Sequence, residues 1–454
     1  MKKLTENRLA KEKKSDKISL IQRGYSLMAK LQPSKLIMRV RFPLPAASPT
    51  TPRPREEGLS FIGISQCKCS ATVGNKRGED DPEAMNKERK ALLLSAGYGK
   101  GHHAAAWAMA EELRHRGWQA TVSDPCAEDR PGLFRLTQLF YRTCVRRAPW
   151  LWGLVYEQID TADWSQLIHL PGIADCMRGL RARLQNQQPD LVLCTYPLYA
   201  YMLDAFALEG WFRTPYAVIV TDALAISRPW LQTRAPLICL TDEHSLAEVQ
   251  DRYAPAPERL AAPGFPVHAA FTPGKERPTP RPDGEGLHVV YGGHAPISRV
   301  CADVQAMVQA MPRIRITLLA DGQEKRLNTL LSEYVSCGRV KLCPSNQDMA
   351  TLLHRAHLYI GKAGAATLFE AYAAEVPVLI NYAMPGQEEG NLRLLMKDKA
   401  GQYVASPAEL ALILRRLVQN DAAAWRRMCS AMRSAHRSGG AARTADVLEG
   451  RFFS

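Results

Sequence analysis

What most constrains this chain is an alternation, made twice, between short apolar runs and amphipathic segments. "KALLLSAG" at residues 90–97 is followed by "HAAAWAMAEELRHRG" and then by "QATVSDP". "DLVLCTYP", "YAVIVTD" and "PLICLTD" continue the series, each ending in polar residues. Apolar runs of this kind suit strands buried on both faces, and the helical patterns between them supply the crossovers that parallel strands need. The reading is a doubly wound α/β domain. A second series begins near residue 287 with "LHVVYGG", "RIRITLLAD", "RVKLCPS", "LYIGKAG" and "VPVLINY". Two such sheets predict two Rossmann-like domains, and 454 residues suffice to give each its own core. Between them "PGFPVHAAFTPGKERPTPRPDGEG" has the prolines, glycines and charges of a linker. The expected organisation is a first domain over 85–270, a linker over 271–286 and a second domain over 287–454.

Residues 1–84 do not follow this pattern. A Lys-rich start runs into "RFPLPAASPTTPRPREEG", which lacks apolar periodicity and is expected to be disordered. Met85 leads through a short basic run into the first strand, which makes it a candidate natural start. This segment holds 17 Lys or Arg against 9 Asp or Glu, so it carries +8 of the formal +14. A positive balance favours an anionic partner: nucleic acid, nucleotide or an acidic membrane surface. No helix-turn-helix, zinc-finger or RNA-binding signature accompanies the charge, and a nucleic-acid partner is not expected. No window reaches the roughly 18 uncharged apolar residues of a membrane-spanning helix. Of the 11 cysteines only Cys67 and Cys69 are close, with no second pair or His cluster to complete a metal site, so reduced thiols and no metal are expected.

Two turns carry the candidate chemistry. In "SAGYGKGHHAAA" the glycines Gly97, Gly99 and Gly101 alternate, and His102 stands where a dinucleotide fingerprint has its third glycine. Lys100 is followed by Gly101, not by Ser or Thr, so a Walker loop fails too. His102 is thereby placed at a helix start on the carboxyl edge of the sheet, where open α/β folds bind ligands. A neutral imidazole there can take a proton from a hydroxyl, or it can simply cap or pack against the helix. In "LYIGKAGAATLFEAYAAEVPVLINYAMPGQEEGN", Lys362, Ala363 and Gly364 turn a strand into a helix, whose N–H groups suit a pyrophosphate. Glu370 is either a ribose-binding carboxylate or a solvated helix acid, and Gln387 with Glu388 lies in a turn at the same edge.

Those stretches, with "VTDALAISRPW" and "GFPV", resemble the family of monogalactosyldiacylglycerol synthases and bacterial diacylglycerol glucosyltransferases, within glycosyltransferase family 28. The resemblance runs over about residues 89–440. It implies a GT-B fold, two Rossmann-like domains facing a cleft, with the lipid acceptor on the first and a UDP-sugar on the second. It also implies an inverting transfer that needs no metal or other cofactor, the UDP-sugar being a co-substrate. Carried over residue by residue, His102 is the general base and Gly99 and Gly101 line its turn. Thr221, Asp222 and Trp230 lie at the acceptor side of the cleft. Gly292, Gly293, Lys362, Ala363, Gly364 and Glu370 hold the nucleotide, and Gln387 and Glu388 the sugar. Departures are Ala365 where relatives often have Gly, Ser227 near the place of a histidine, and His294 with Pro296 in the turn after Gly293.

A lipid acceptor calls for a membrane-facing surface. Residues 130–158 combine Arg135, Arg142, Arg146 and Arg147 with leucines, phenylalanines, Trp150 and Trp152, a mixture suited to an anionic headgroup layer, or to a core helix with a basic outer face. The expectation is a peripheral glycosyltransferase at the cytoplasmic face of a membrane, moving a hexose to diacylglycerol. The rival readings are an N-acetylglucosaminyltransferase acting on a polyprenyl-linked precursor, a UDP-sugar epimerase and a nucleotide-sugar binding protein without catalysis.

Overall fold

The computed structural model describes residues 88–147, 156–272, 278–344, 347–383 and 388–454. The segment 1–84, Met85, Trp150, Trp152 and Gln387 lie outside the described residues, as does 273–277 of the expected linker.

Two six-stranded sheets form, and every strand pair in both is parallel. The first contains β1 (Lys90–Leu94), β2 (Gln119–Ser123), β3 (Leu191–Cys194), β4 (Tyr216–Ile219), β5 (Leu237–Cys239) and β6 (Leu260–Ala261), in the order β2-β1-β3-β4-β5-β6. The second contains β7 (His288–Gly292), β8 (Arg315–Leu319), β9 (Val340–Cys343), β10 (Leu358–Lys362), β11 (Val378–Tyr382) and β12 (Gly401–Tyr403), in the order β12-β11-β10-β7-β8-β9. The chain reverses its winding between β1 and β3 in one sheet and between β7 and β10 in the other. Ligand crevices of such sheets open beyond the carboxyl ends of the strands at these reversals. Those ends carry the His102 turn and Thr195 in the first domain, and Gly292, Gly293 and the Lys362 turn in the second. This is the GT-B architecture expected from the sequence.

The strands are apolar because each sheet is covered on both faces. Leu92 and Leu94 point into one core with Tyr199, Leu203 and Trp230, while Leu93 packs on the other face with Met109 and Leu113 of helix Lys100–His115. In the second domain Val289 and Ile316 join Leu410, Leu414 and Trp425 on one face. Val290 and Ile380 join Phe369 and Leu394 on the other.

The final helix departs from the sequence-based division. Gly440–Phe452, assigned above to the second domain, packs in the core of the first: Ala441, Ala445 and Leu448 lie against the cluster of Met109 and Leu113. Arg116 fixes it through Asp446 at 2.8 Å and Glu449 at 2.9 Å, and Trp118 Nε1 donates to Glu449 at 3.2 Å. An amphipathic helix shows that one face must be buried, not which sheet buries it.

Candidate functional site: two turns facing one cleft

β1 ends at Leu94, and the chain turns through Gly97 and Gly99 into helix Lys100–His115, with Gly99 as its N-cap in extended conformation. Asp124 organises the turn: its Oδ2 accepts from the Gly97 N–H at 2.9 Å and its Oδ1 accepts from the Tyr199 hydroxyl at 2.9 Å. A Cβ on Gly97 would lie 3.0 Å from Gln138 Nε2 and 3.1 Å from Phe134 Cζ, so glycine is what lets helix Pro131–Arg147 close over the turn. Tyr98 completes that contact, with its hydroxyl 2.9 Å from Thr137 Oγ1 and its ring against Phe134 and Tyr196.

His102 occupies the third helical position. Its Nδ1 lies 2.9 Å from Thr221 Oγ1, and its ring stands edge-on to Tyr196 and tilted against Trp230, at centroid distances of 5.2 and 5.9 Å. Burial lowers its pKa to about 4, the Thr195 carbonyl opposing that shift and the neighbouring His103 adding to it. The ring is therefore neutral at pH 7, as a proton acceptor must be. Asp222, one residue past Thr221, accepts from Trp230 Nε1 at 3.2 Å. Its pKa is raised to about 6 by burial, with Glu388 pushing the same way and the Trp230 N–H and Lys362 pushing back. Asp222 thus senses charges of the second domain: the two half-sites share one cleft.

On the second side, β10 ends at Lys362, and Gly364 is the N-cap of helix Ala365–Ala373. Lys362 Nζ donates to Glu388 Oε1 at 2.6 Å. Burial alone would lower the lysine pKa, but the charge and hydrogen bond of Glu388 outweigh it and hold the ammonium above its ordinary value. A Cβ on Gly364 would come within 3.0 Å of Lys362 Nζ and 3.7 Å of Glu388 Oε1. Gly293 is equally constrained, since a Cβ there would lie 2.2 Å from the Leu319 carbonyl oxygen while its N–H donates to that oxygen at 2.9 Å. Gly292 abuts the Tyr359 hydroxyl. Ala365 is buried at the helix start, and the helix N-terminus remains directed at the cleft despite the missing glycine. Glu370, further along the same helix, is half-buried and close enough to raise the pKa of Tyr359 after burial has done so.

The two turns meet. A Cβ built on Gly101 would stand 4.0 Å from Ala366 Cβ, and Ala105, Ala223 and Leu224 of the first domain share a core with Ala363, Ala365 and Ala366 of the second. Of the expected site residues, Gly99, Gly101, His102, Thr221, Asp222 and Trp230 assemble on one side. Lys362, Ala363, Gly364 and Glu388 assemble on the other. Unanticipated were Tyr196, on which His102 packs, and Tyr141, whose pKa burial raises, with Lys362 opposing that shift and Glu388 and Asp222 adding to it. Asn391 and Gly390 were also missed, although both stand inside the quoted motif "PGQEEGN".

Helix Pro131–Arg147 has two characters. Phe134, Thr137 and Gln138 face the glycine turn, while Leu133, Leu136, Leu139 and Phe140 are 44, 64, 63 and 54% exposed, with Arg135 among them. Arg142, Arg146 and Arg147 fall at the end of this helix. Among the described residues no helix is long and apolar enough to cross a membrane.

The family model for monogalactosyldiacylglycerol (MGDG) synthase matches residues 102–267. A processive diacylglycerol beta-glucosyltransferase of Bacillus mycoides is 24% identical over 382 residues, covering 80% of this chain and 94% of that protein. The chloroplastic monogalactosyldiacylglycerol synthase of Spinacia oleracea is 24% identical over 385 residues, covering 78% of this chain and 72% of that protein. Among solved structures, MurG of Acinetobacter baumannii superposes with a TM-score of 0.51 at 17% identity, over 80% of this chain and 99% of that one. A putative UDP-N-acetylglucosamine 2-epimerase of Listeria monocytogenes gives 0.52 at 12% identity, over 81% and 97%. These structures agree in fold, and the family resemblance read from the sequence is borne out by the family model and the two relatives.

Proposed function

We propose that this chain, a relative of the monogalactosyldiacylglycerol synthases and diacylglycerol glucosyltransferases, transfers a hexose from a UDP-sugar to the free hydroxyl of diacylglycerol, with inversion. The observation that carries the reading is geometric: His102, held at 2.9 Å from Thr221 Oγ1, stands on the turn whose Gly101 meets Ala366 of the Lys362 turn. The donor diphosphate lies at the N-terminus of helix Ala365–Ala373, where backbone N–H groups and the Lys362 ammonium face it. Glu370 holds the ribose, and Glu388 with Gln387 holds the sugar hydroxyls.

His102 accepts the proton of the acceptor hydroxyl while that oxygen bonds to the anomeric carbon from the face opposite UDP. The bond from that carbon to the β-phosphate oxygen breaks, and its electron pair leaves with UDP. Lys362 and the helix N-terminus take up the charge that develops there, so this transfer is drawn without a metal. A pKa near 4 suits a base held neutral before donor binding. The arriving diphosphate then raises it, because a nearby anion favours the imidazolium. Helix Pro131–Arg147 sets the first domain on the anionic cytoplasmic face of a membrane, with its exposed leucines and Phe140 among the lipid headgroups.

The test incubates the full chain with diacylglycerol liposomes and, in turn, UDP-glucose, UDP-galactose and UDP-N-acetylglucosamine, followed by mass spectrometry of the lipids. A hexosyl-diacylglycerol supports the reading and names the donor. UDP binding by calorimetry without any glycolipid rejects diacylglycerol as acceptor, and release of an epimerised sugar would identify an epimerase.

A further inference from the structure

Helix Glu389–Lys397 begins directly after Glu388, and its first residues reach into the other domain. Gly390 approaches the loop after β4 so closely that a Cβ would lie 2.0 Å from the Ala223 carbonyl oxygen and 2.5 Å from the Ala225 amide nitrogen. Asn391, 1% exposed, accepts from the Ala223 N–H at 3.1 Å through Oδ1 and donates through Nδ2 to the Ala363 carbonyl oxygen at 2.9 Å. Nearby, Arg393 pairs with Glu248 of helix Glu243–Tyr253 at 3.0 Å. The two backbone groups that Asn391 joins are both in the site. Ala223 directly follows Thr221 and Asp222, and Ala363 lies between Lys362 and Gly364.

We propose that Asn391 is a positioning residue that keys the loop carrying Thr221, the partner of His102, to the turn that receives the donor diphosphate. The two half-sites then close in a single register. Its kinetic consequence rests on the transferase reading above; its structural consequence does not. A carboxamide suits the task because one planar group both accepts and donates, satisfying two buried backbone groups at once. Asp at this position keeps only the acceptor and sets an anion against the Ala363 carbonyl, while Leu of similar size satisfies neither. The more exposed Arg393–Glu248 pair contributes less, as solvent-screened ion pairs do.

The experiment compares the full wild-type chain with Asn391→Asp and Asn391→Leu, using Asp where Leu fails to fold. Hydrogen exchange over residues 220–226 is followed with and without UDP, alongside UDP affinity by calorimetry and turnover on diacylglycerol vesicles. In the wild type, UDP slows exchange in 220–226 although it sits on the other domain. In the variants this segment exchanges faster and UDP no longer slows it. Their kcat falls by about 10- to 100-fold, the scale of a misplacement near 1 Å, while UDP affinity stays within about threefold.

Unchanged exchange in 220–226 overturns the proposal, and so does faster exchange with wild-type kcat. UDP affinity lost in parallel with melting temperature also overturns it, since that marks a general structural role. If the wild type makes no glycolipid, the transferase reading fails, and the exchange coupling alone decides for or against Asn391.

Discussion

His102 Nδ1 lies 2.9 Å from Thr221 Oγ1, so the imidazole at the start of one helix is oriented by a hydroxyl in the loop after β4. With the proton on Nδ1, Thr221 accepts it and Nε2 keeps the lone pair that a base needs. Burial lowers the ring pKa to about 4, and on the proposed mechanism the active form is the neutral one. Accordingly kcat/KM should fall as pH drops through about 4. The same shift bears on stability: because the folded pKa lies below the ordinary 6.5, the stability contributed by a neutral His102 is complete above 6.5 and is lost as pH falls toward 4. His102→Ala should lower kcat by about 100-fold or more with UDP affinity unchanged, and should abolish that acid limb. Steady-state kinetics against pH, with calorimetry, checks this; near-normal turnover would remove His102 from the role of base.

Five strands of each sheet and the two turns were legible in the sequence because parallel strands covered on both faces leave apolar runs; the edge strands β6 and β12, of two and three residues, leave no such run. The His102 and Lys362 turns fall at strand ends, and strand ends are what such runs mark. Relations between distant segments were not legible. The pattern of Gly440–Phe452 shows an apolar face but not that the first domain buries it. Residues 130–158 read either as a membrane face or as a core helix with a basic outer face, and the sequence does not show that Phe134 and Gln138 turn inward to Gly97 while Leu136 and Leu139 stay in solvent. Asn391 reads as one polar residue among several in "EEGN", and only its two backbone partners, 168 and 28 residues away, show its place.

The Lys362–Glu388 pair makes opposite demands on its members. On the proposed function Lys362 offers the positive charge for the diphosphate, whereas Glu388, 4% exposed at its side chain, holds that charge in place at 2.6 Å. Lys362→Ala should weaken UDP binding about tenfold, in keeping with the loss of a charge-assisted contact of 1.4 kcal/mol or more. Glu388→Gln should leave UDP bound at least as well, because the ammonium no longer answers to a competing carboxylate, while turnover with the UDP-sugar falls. Calorimetry with UDP beside kinetics with UDP-hexose separates the two; equal losses of UDP affinity would break the assignment.

The exposed face of helix Pro131–Arg147 predicts a surface effect without a fold effect. Burying a leucine is worth roughly 2 kcal/mol, so replacing Leu136 and Leu139 with Glu should weaken sedimentation with anionic vesicles by at least about tenfold even for shallow insertion. Both side chains are already mostly in solvent, at 64 and 63% exposure, so the melting temperature should hardly move. Vesicle binding at the wild-type level would show that this face serves something other than a membrane.

At Gly390 the two domains approach through backbone alone. A methyl there would meet the Ala223 carbonyl oxygen at 2.0 Å and the Ala225 amide nitrogen at 2.5 Å, and these are main-chain atoms that no rotamer change can withdraw. Gly390→Ala must therefore push helix Glu389–Lys397 away from the loop after β4, carrying Glu388 with it. The expected result is turnover reduced by about tenfold or more, while UDP affinity stays within about threefold, because Lys362 and the N-terminus of helix Ala365–Ala373 remain available to the diphosphate. Gly450→Ala supplies the comparison: its Cβ meets nothing within 4 Å on helix Gly440–Phe452, so it should be neutral or stabilising by about 0.5–1 kcal/mol. Measured side by side, the pair separates the effect of a glycine lost from a helix from that of two half-sites forced apart. Wild-type turnover in Gly390→Ala would mean that catalysis does not require the closed arrangement in which Gly390 touches Ala223.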